Sequence, residues 1–150
     1  MSTDQALLPV AVYGTLRQGQ SNHHLLHGKT PLEQGWLEGF QLFDFGSHPA
    51  AVRGKSRLYV EIYSVSADEL RRLDALEDYN PNRPARSLYL RETISSPSGA
   101  PCWIYLYNRP LHHRPIIASG RWQGPTTLRQ NGRCPPCLRR RPRRRAQPLA

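Results

Sequence analysis

Cysteine is scarce in this sequence, long apolar runs are missing, and neither of the common phosphate-binding glycine spacings occurs. Each shortage excludes something. Cys102, Cys134 and Cys137 are the only cysteines, and three cannot make a disulfide framework. No stretch approaches the roughly 20 apolar residues that a membrane helix needs. The N-terminus has no cationic segment followed by an apolar run, so a reducing, cytoplasmic setting is the expectation. The glycines match neither a P-loop nor a dinucleotide fingerprint, and there are no internal repeats. Acidic residues are absent from 121–150, which carry nine arginines. The formal charge of +10 therefore belongs to the end of the chain, because the first 120 residues hold 12 basic against 11 acidic side chains. What looks like a nucleic-acid signature is a property of a tail and not of a domain.

The 150 residues suit one domain with a proper core and are too few for two. Residues 1–8 read as an irregular end. Pro9–Tyr13 is a short apolar strand, and Gly14 and Gly19 punctuate the loop after it. Trp36–Phe45 alternates imperfectly and predicts one strand or two. In Arg57–Val65, Leu58, Val60 and Ile62 share one face, while Tyr59, Glu61, Tyr63 and Val65 share the other, the clearest strand pattern. Ser66-Ala67-Asp68-Glu69 matches a capping box, and Leu70, Leu73 and Leu76 follow at helical spacing, predicting a helix of two to three turns. Asn80-Pro81 and Arg83-Pro84 end it. Ser87–Ser95 and Ala100–Tyr107 are two further strands around the turn-forming Ser96-Pro97-Ser98-Gly99. So many strands with so little helix predict an α+β fold, a small β-barrel or curled sheet with a helix packed outside. The domain spans residues 9–122. Residues 123–150, with five prolines and eight arginines, are too poor in apolar groups to fold and are expected to be disordered.

Two segments carry chemistry. In Tyr13-Gly14-Thr15-Leu16 a glycine follows a strand, a turn that leaves successive N–H groups facing one spot, as an anion or a carbonyl oxygen requires. In Leu73-Asp74-Ala75-Leu76-Glu77-Asp78-Tyr79 three carboxylates crowd the C-terminal end of a helix. That end carries about half a negative charge, so acids there cost about 0.3–1 kcal/mol each, and Asp74 repels Glu77 three residues on. Such crowding fits a solvated acidic patch. That is the plainer reading from composition alone; the sharper one is a carboxyl group whose pKa is pushed upward, as a general acid/base requires.

The YGTL turn after the first strand, the LDxLE helix end some sixty residues later, the Tyr89-Leu90-Arg91 strand and the aromatic strand with Trp103, Tyr105 and Tyr107 together resemble the gamma-glutamylcyclotransferase-like superfamily. The resemblance covers about residues 9–122 and is closest to its short bacterial YtfP-type members. It implies a small mixed β-barrel with flanking helices and a cavity at its mouth. It also implies substrate-binding roles for Tyr13, Gly14, Thr15 and Leu16, joined by Tyr89 and Tyr107, and catalysis by Glu77. The implied reaction is cyclisation of a gamma-glutamyl amine or peptide to 5-oxoproline and a free amine, with no cofactor and no metal. The sequence departs from the family pattern after the catalytic glutamate, where Asp78 replaces the favoured glycine. It departs again at Arg121, where an aspartate commonly stands in Ser-Gly-Asp-Trp.

Other features are read more plainly. His23, His24 and His27 have no carboxylate or cysteine to complete a metal set. His48 beside Pro49 fits a loop contact or a cavity wall. Cys134-Pro-Pro-Cys137 lacks the second pair of a zinc site and the folded helix start of a redox motif. Arg139–Arg145 could neutralise six phosphates without sequence preference. The small-molecule substrate is thus the expected partner, and nucleic acid would be reached only through the basic tail. A non-catalytic small-molecule-binding domain of the same fold and a tail-mediated nucleic-acid-associated protein are the alternatives to the enzyme.

Overall fold

The computed structural model describes residues 8–111 and 113–124. The expectations for residues 1–7 and for 125–150, including the disordered tail, Cys134, Cys137 and the arginine run, lie outside the described residues. One five-stranded sheet organises the rest, with strand order β2-β3-β1-β5-β4. The strands are β1 (Val10–Val12), β2 (Glu33–Asp44), β3 (Pro49–Tyr63), β4 (Tyr89–Ser95) and β5 (Pro101–Tyr107), and α1 (Ala67–Leu76) joins β3 to β4. β1 lies between its partners, antiparallel to β3 and parallel to β5. The sheet is therefore mixed, and its three-residue central strand is buried throughout.

The sheet curls into a half-barrel, and the sequence accounts for the curl. β2 and β3 pair over almost their whole length, but the register slips where Phe40 faces both Arg53 and Ser56. Gly39 precedes the slip with φ of 95°, a left-handed backbone that a β-bulge uses and glycine adopts at no steric cost. The bulge explains why Trp36–Phe45 alternates imperfectly: it is one strand, interrupted in phase. At the two sheet edges the Glu33 carboxylate on β2 accepts from Ser96 Oγ at 2.7 Å and from Ser98 N and Oγ at 3.0 and 2.8 Å. These bonds fasten β2 to the turn between β4 and β5.

Leu58, Val60 and Ile62 are buried, yet so are Tyr59, Glu61 and Tyr63 on the other face of β3. The alternation read in the sequence does not mark a wet face here. Residues from the loop after β1, among them the buried Arg17, cover it together with Trp122, which is 1% exposed. Among the described residues no helix is long and apolar enough to cross a membrane.

α1 begins as its sequence dictates. Ser66 Oγ accepts from Glu69 N at 3.1 Å, and the Glu69 carboxylate accepts from Ser66 N at 2.8 Å, the reciprocal capping box. Lys29 Nζ and His27 Nδ1 also reach Glu69, both at 2.6 Å. Despite its burial, these donors hold the Glu69 carboxyl down to about 2. Leu70 and Leu73 are the buried apolar face.

The chain returns over β3 at Gly120, whose carbonyl accepts from Tyr59 N at 2.8 Å. Gly120 has φ of 77°, and a Cβ there would lie 2.2 Å from the Arg57 carbonyl oxygen. Gly120→Ala is therefore expected to destabilise the protein by about 2 kcal/mol or more, from backbone strain plus overlap. A denaturant melt measures it, and a loss below about 0.5 kcal/mol would show that the crossing relaxes freely.

Candidate active site

The C-terminal end of α1 delivers Glu77 into the molecule. Glu77 is the C-cap residue and is 0% exposed. A Schellman motif ends the helix: Tyr79 N donates to Asp74 O at 2.8 Å and Asp78 N to Ala75 O at 3.2 Å. Asp78 takes the left-handed conformation, φ 57°. The position after Glu77 thus demands a backbone that glycine adopts most easily, which supplies the physical reason for a glycine there.

Three buried phenols feel the negative charge of Glu77. Burial raises Tyr13 and Tyr89 well above the usual phenol range, and the negative charge of Glu77 adds to the rise. Burial likewise raises Tyr105, reinforced by Asp74 and then by Glu77. All three are neutral hydrogen-bond donors at neutral pH. Their hydroxyls are committed to the framework. Tyr13 Oη donates to the Tyr105 carbonyl at 2.7 Å and accepts from Ala51 N at 3.3 Å, joining the turn after β1 to both β5 and β3. Tyr89 Oη donates to the Pro49 carbonyl at 3.3 Å. Tyr105 Oη donates to Asp74 Oδ1 at 2.6 Å.

Asp74, passed over in the sequence as a candidate, is the second carboxylate of this region. Burial raises its pKa, opposed by the Tyr105 hydroxyl and the Arg91 charge. Arg91 Nη1 lies 3.2 Å from Asp74 Oδ2, and its guanidinium sits over the rings of Trp103 at 4.4 Å and Tyr79 at 5.3 Å. The signal was present as Tyr89-Leu90-Arg91, but the register that brings β4 against the helix end is not local.

The predicted turn forms, and Gly14, Thr15 and Leu16 are all buried. Arg17 N donates to Gly14 O at 3.1 Å, and Asn22 braces Thr15 twice, backbone to backbone at 2.8 Å and side chain to Oγ1 at 2.9 Å. From Glu77 an aromatic run leads outward: the Tyr89 and Tyr107 rings are 5.3 Å apart, Tyr107 and Phe45 5.1 Å, and Phe45 and His48 5.3 Å. Tyr89 is fully buried, Tyr107 and Phe45 are half-buried, and Arg114, over the Phe45 ring at 4.4 Å, is exposed. His48 is buried; desolvation, aided by Arg114, pushes its imidazole down to about 4, so it is neutral at neutral pH. The Glu77 charge thus acts on Tyr13 and Tyr89, and Tyr107 stands between Tyr89 and Phe45 in the run.

The three early histidines are each engaged elsewhere. His23 Nδ1 lies 2.9 Å from Leu16 O, His24 Nδ1 3.1 Å from Ser21 O, and His27 meets Glu69. No cluster of three or more metal-ligating side chains forms among the described residues.

Residues 10–124 match the family model described as gamma-glutamyl cyclotransferase, AIG2-like, and the chain belongs to this family. The gamma-glutamylcyclotransferase family protein YtfP of Escherichia coli is 34% identical over 113 residues, covering 75% of this chain and 94% of that one. The gamma-L-glutamyl-butirosin B gamma-glutamyl cyclotransferase of Niallia circulans is 35% identical over 102 residues, 65% of each chain. Among solved structures, the uncharacterized protein PH0828 of Pyrococcus horikoshii superposes with a TM-score of 0.61 at 31% identity, covering 76% of this chain and 88% of that one.

Because Asp78 holds a left-handed backbone, Asp78→Gly is expected to be neutral or to stabilise by up to about 1 kcal/mol, whereas Asp78→Val should cost about 1–2 kcal/mol. The denaturant midpoints of the two variants check the order. Equal midpoints would mean the Schellman turn opens without cost.

Proposed function

We propose that the protein cyclises a gamma-glutamyl amide to 5-oxoproline and a free amine, with Glu77 as the acid/base. The observation that carries this reading is the fully buried Glu77 carboxyl, held at a helix end among three neutral phenols. The relative from Niallia circulans bears a name describing removal of a gamma-glutamyl group by cyclisation, and supports the same class of reaction.

The nucleophile in such a substrate is its own α-amine, tethered to the γ-carbonyl it attacks. Alignment of tethered groups is worth roughly 7–11 kcal/mol, so the enzyme's task is to fold the chain and manage protons. Glu77 takes a proton from the α-ammonium, the amine adds to the γ-carbonyl, and the amide C–N bond breaks as Glu77 returns the proton to the departing nitrogen. The second proton released by the attacking nitrogen also ends on the departing amine, which leaves as an ammonium beside the neutral lactam of 5-oxoproline. Exchange of this kind contributes roughly 10²–10⁴-fold. Gly14, Thr15 and Leu16 on the buried turn carry the backbone N–H groups assigned to the developing oxyanion or the α-carboxylate. Tyr13 and Tyr89 keep the pocket dry and fixed, and Tyr107 borders the path by which the amine leaves.

Incubation with a panel of gamma-glutamyl amines and peptides, monitored for 5-oxoproline, tests the reaction. Glu77→Gln keeps the shape and loses proton exchange, so kcat should fall by about 10²-fold or more while substrate affinity is kept. Retention of a tenth of kcat would remove Glu77 from the role.

A further inference from the structure

Beyond the Glu77 region, the turn after β1 also presents a face to the chain's return over β3. A cleft of about 420 Å³ opens there, lined by Arg17, Gln18, Gln20, Arg121, Trp122 and Gln123. Two arginines line it, beside three glutamines that offer both donors and acceptors. Arg17 is 4% exposed; its Nη2 donates to the Trp122 carbonyl, and its Nε is buried without an acceptor among the described residues. Trp122 is 1% exposed, and its indole N–H, a donor with no acceptor capacity, is likewise buried without a partner among those residues.

Charge points the same way. The Arg17 and Arg121 guanidinium carbons lie 5.6 and 4.2 Å from the centroid of one ring, Tyr59. Arg57 adds a third cation over Trp36 at 3.9 Å, and the Trp36 ring stands edge-on to Tyr59 at 5.4 Å. Glu61 is the carboxylate facing Arg17, and its Oε1 already accepts from Gln18 N at 2.9 Å and Tyr63 Oη at 2.7 Å. Burial lowers the Arg17 pKa, Glu61 opposes the fall, and the like charge of Arg121 adds to it. Two cations held together over one ring are satisfied together by a ligand that brings negative charge and several acceptor oxygens.

We infer that this cleft is a binding site for an oxyanion group, a phosphate or a carboxylate, held by the Arg17 and Arg121 guanidinium groups beside Trp122. The site is separate from the Glu77 chemistry, and it is tested without any gamma-glutamyl substrate.

The full chain, labelled with nitrogen-15, is titrated with inorganic phosphate and separately with acetate at constant ionic strength. The Trp122 indole N–H resonance should move saturably, with the Trp103 indole unmoved. Saturation by phosphate alone assigns a phosphate ligand, and saturation by acetate at equal or lower concentration assigns a carboxylate. Arg121 is exposed, so Arg121→Ala should fold as the parent does and weaken binding by about tenfold or more, as loss of a charge-assisted contact requires. Arg57→Ala, outside the cleft lining, should change affinity by less than about twofold, as a screened surface charge does. A Trp122 resonance unmoved by both anions, a shift that never saturates, or equal affinity in Arg121→Ala would each overturn the site. Binding confined to the terminal arginines would produce the first of those results.

Discussion

Burying the carboxyl of Glu77 is the constraint on which the rest of the domain turns. A carboxylate withdrawn from water is costly unless fixed groups take the place of its hydration, and here it also sits at the negative end of a helix. The fold holds this arrangement by fixing the helix at both ends. At the N-terminus Ser66 and Glu69 cap each other, and Lys29 and His27 tie Glu69 to the loop before β2. At the C-terminus the Schellman bonds close the last turn, and Asp74 is held by Tyr105 and Arg91 from β5 and β4. With both ends held, the helix end that carries Glu77 is fixed against β4 and β5.

The proposed reaction also needs the turn carrying Gly14, Thr15 and Leu16 to keep its place. β1 is only three residues long, too short to fix its following turn by ladder bonds alone. The Tyr13 hydroxyl supplies the missing anchor by bonding to β5 on one side and β3 on the other. This explains why a tyrosine stands where the strand breaks. Its aromatic body fills the core, and its hydroxyl satisfies two backbone groups that would otherwise lack partners. A phenylalanine would fill the space and leave the Tyr105 carbonyl and the Ala51 N–H to find other partners.

What could be read in the sequence was local or carried by resemblance. The capping box, the leucine spacing of α1 and the hairpin around Ser96–Gly99 depend on neighbours within a few residues and are present. The strand read at Arg57–Val65 is the second half of β3, which starts at Pro49 and stops at Tyr63. The family was legible because its motifs recur in order, although each is short. The rest depended on distant pairings. Nothing near Val10–Val12 announces that it lies between β3 and β5, one partner antiparallel and the other parallel. Asp74 looked like one acid among three; only the arrival of Tyr105 and Arg91, 31 and 17 residues on, sets it apart. The burial of Tyr59 and Glu61 was hidden for the same reason, since their cover comes from Arg17 and from Trp122.

That cover gives the turn after β1 a second task, and the two tasks are mechanically linked. Tyr13 and Arg17 stand at its two ends, four residues apart: Tyr13 bonds inward to β5 and β3, while Arg17 reaches the carbonyl of Trp122. The Gln18 N–H, next along the chain, is held by Glu61 on β3, and the Leu16 carbonyl meets His23. Buried bonds therefore tie the whole segment from Tyr13 to Gln18 to groups outside it. Packed interiors transmit displacement because they have little room to absorb it. A change in how firmly Arg17 is held would reach Gly14, Thr15 and Leu16 through a backbone with few free dihedrals left. The return segment at Ser119–Trp122, remote from Glu77 in sequence, is thereby tied to the turn that carries Gly14, Thr15 and Leu16.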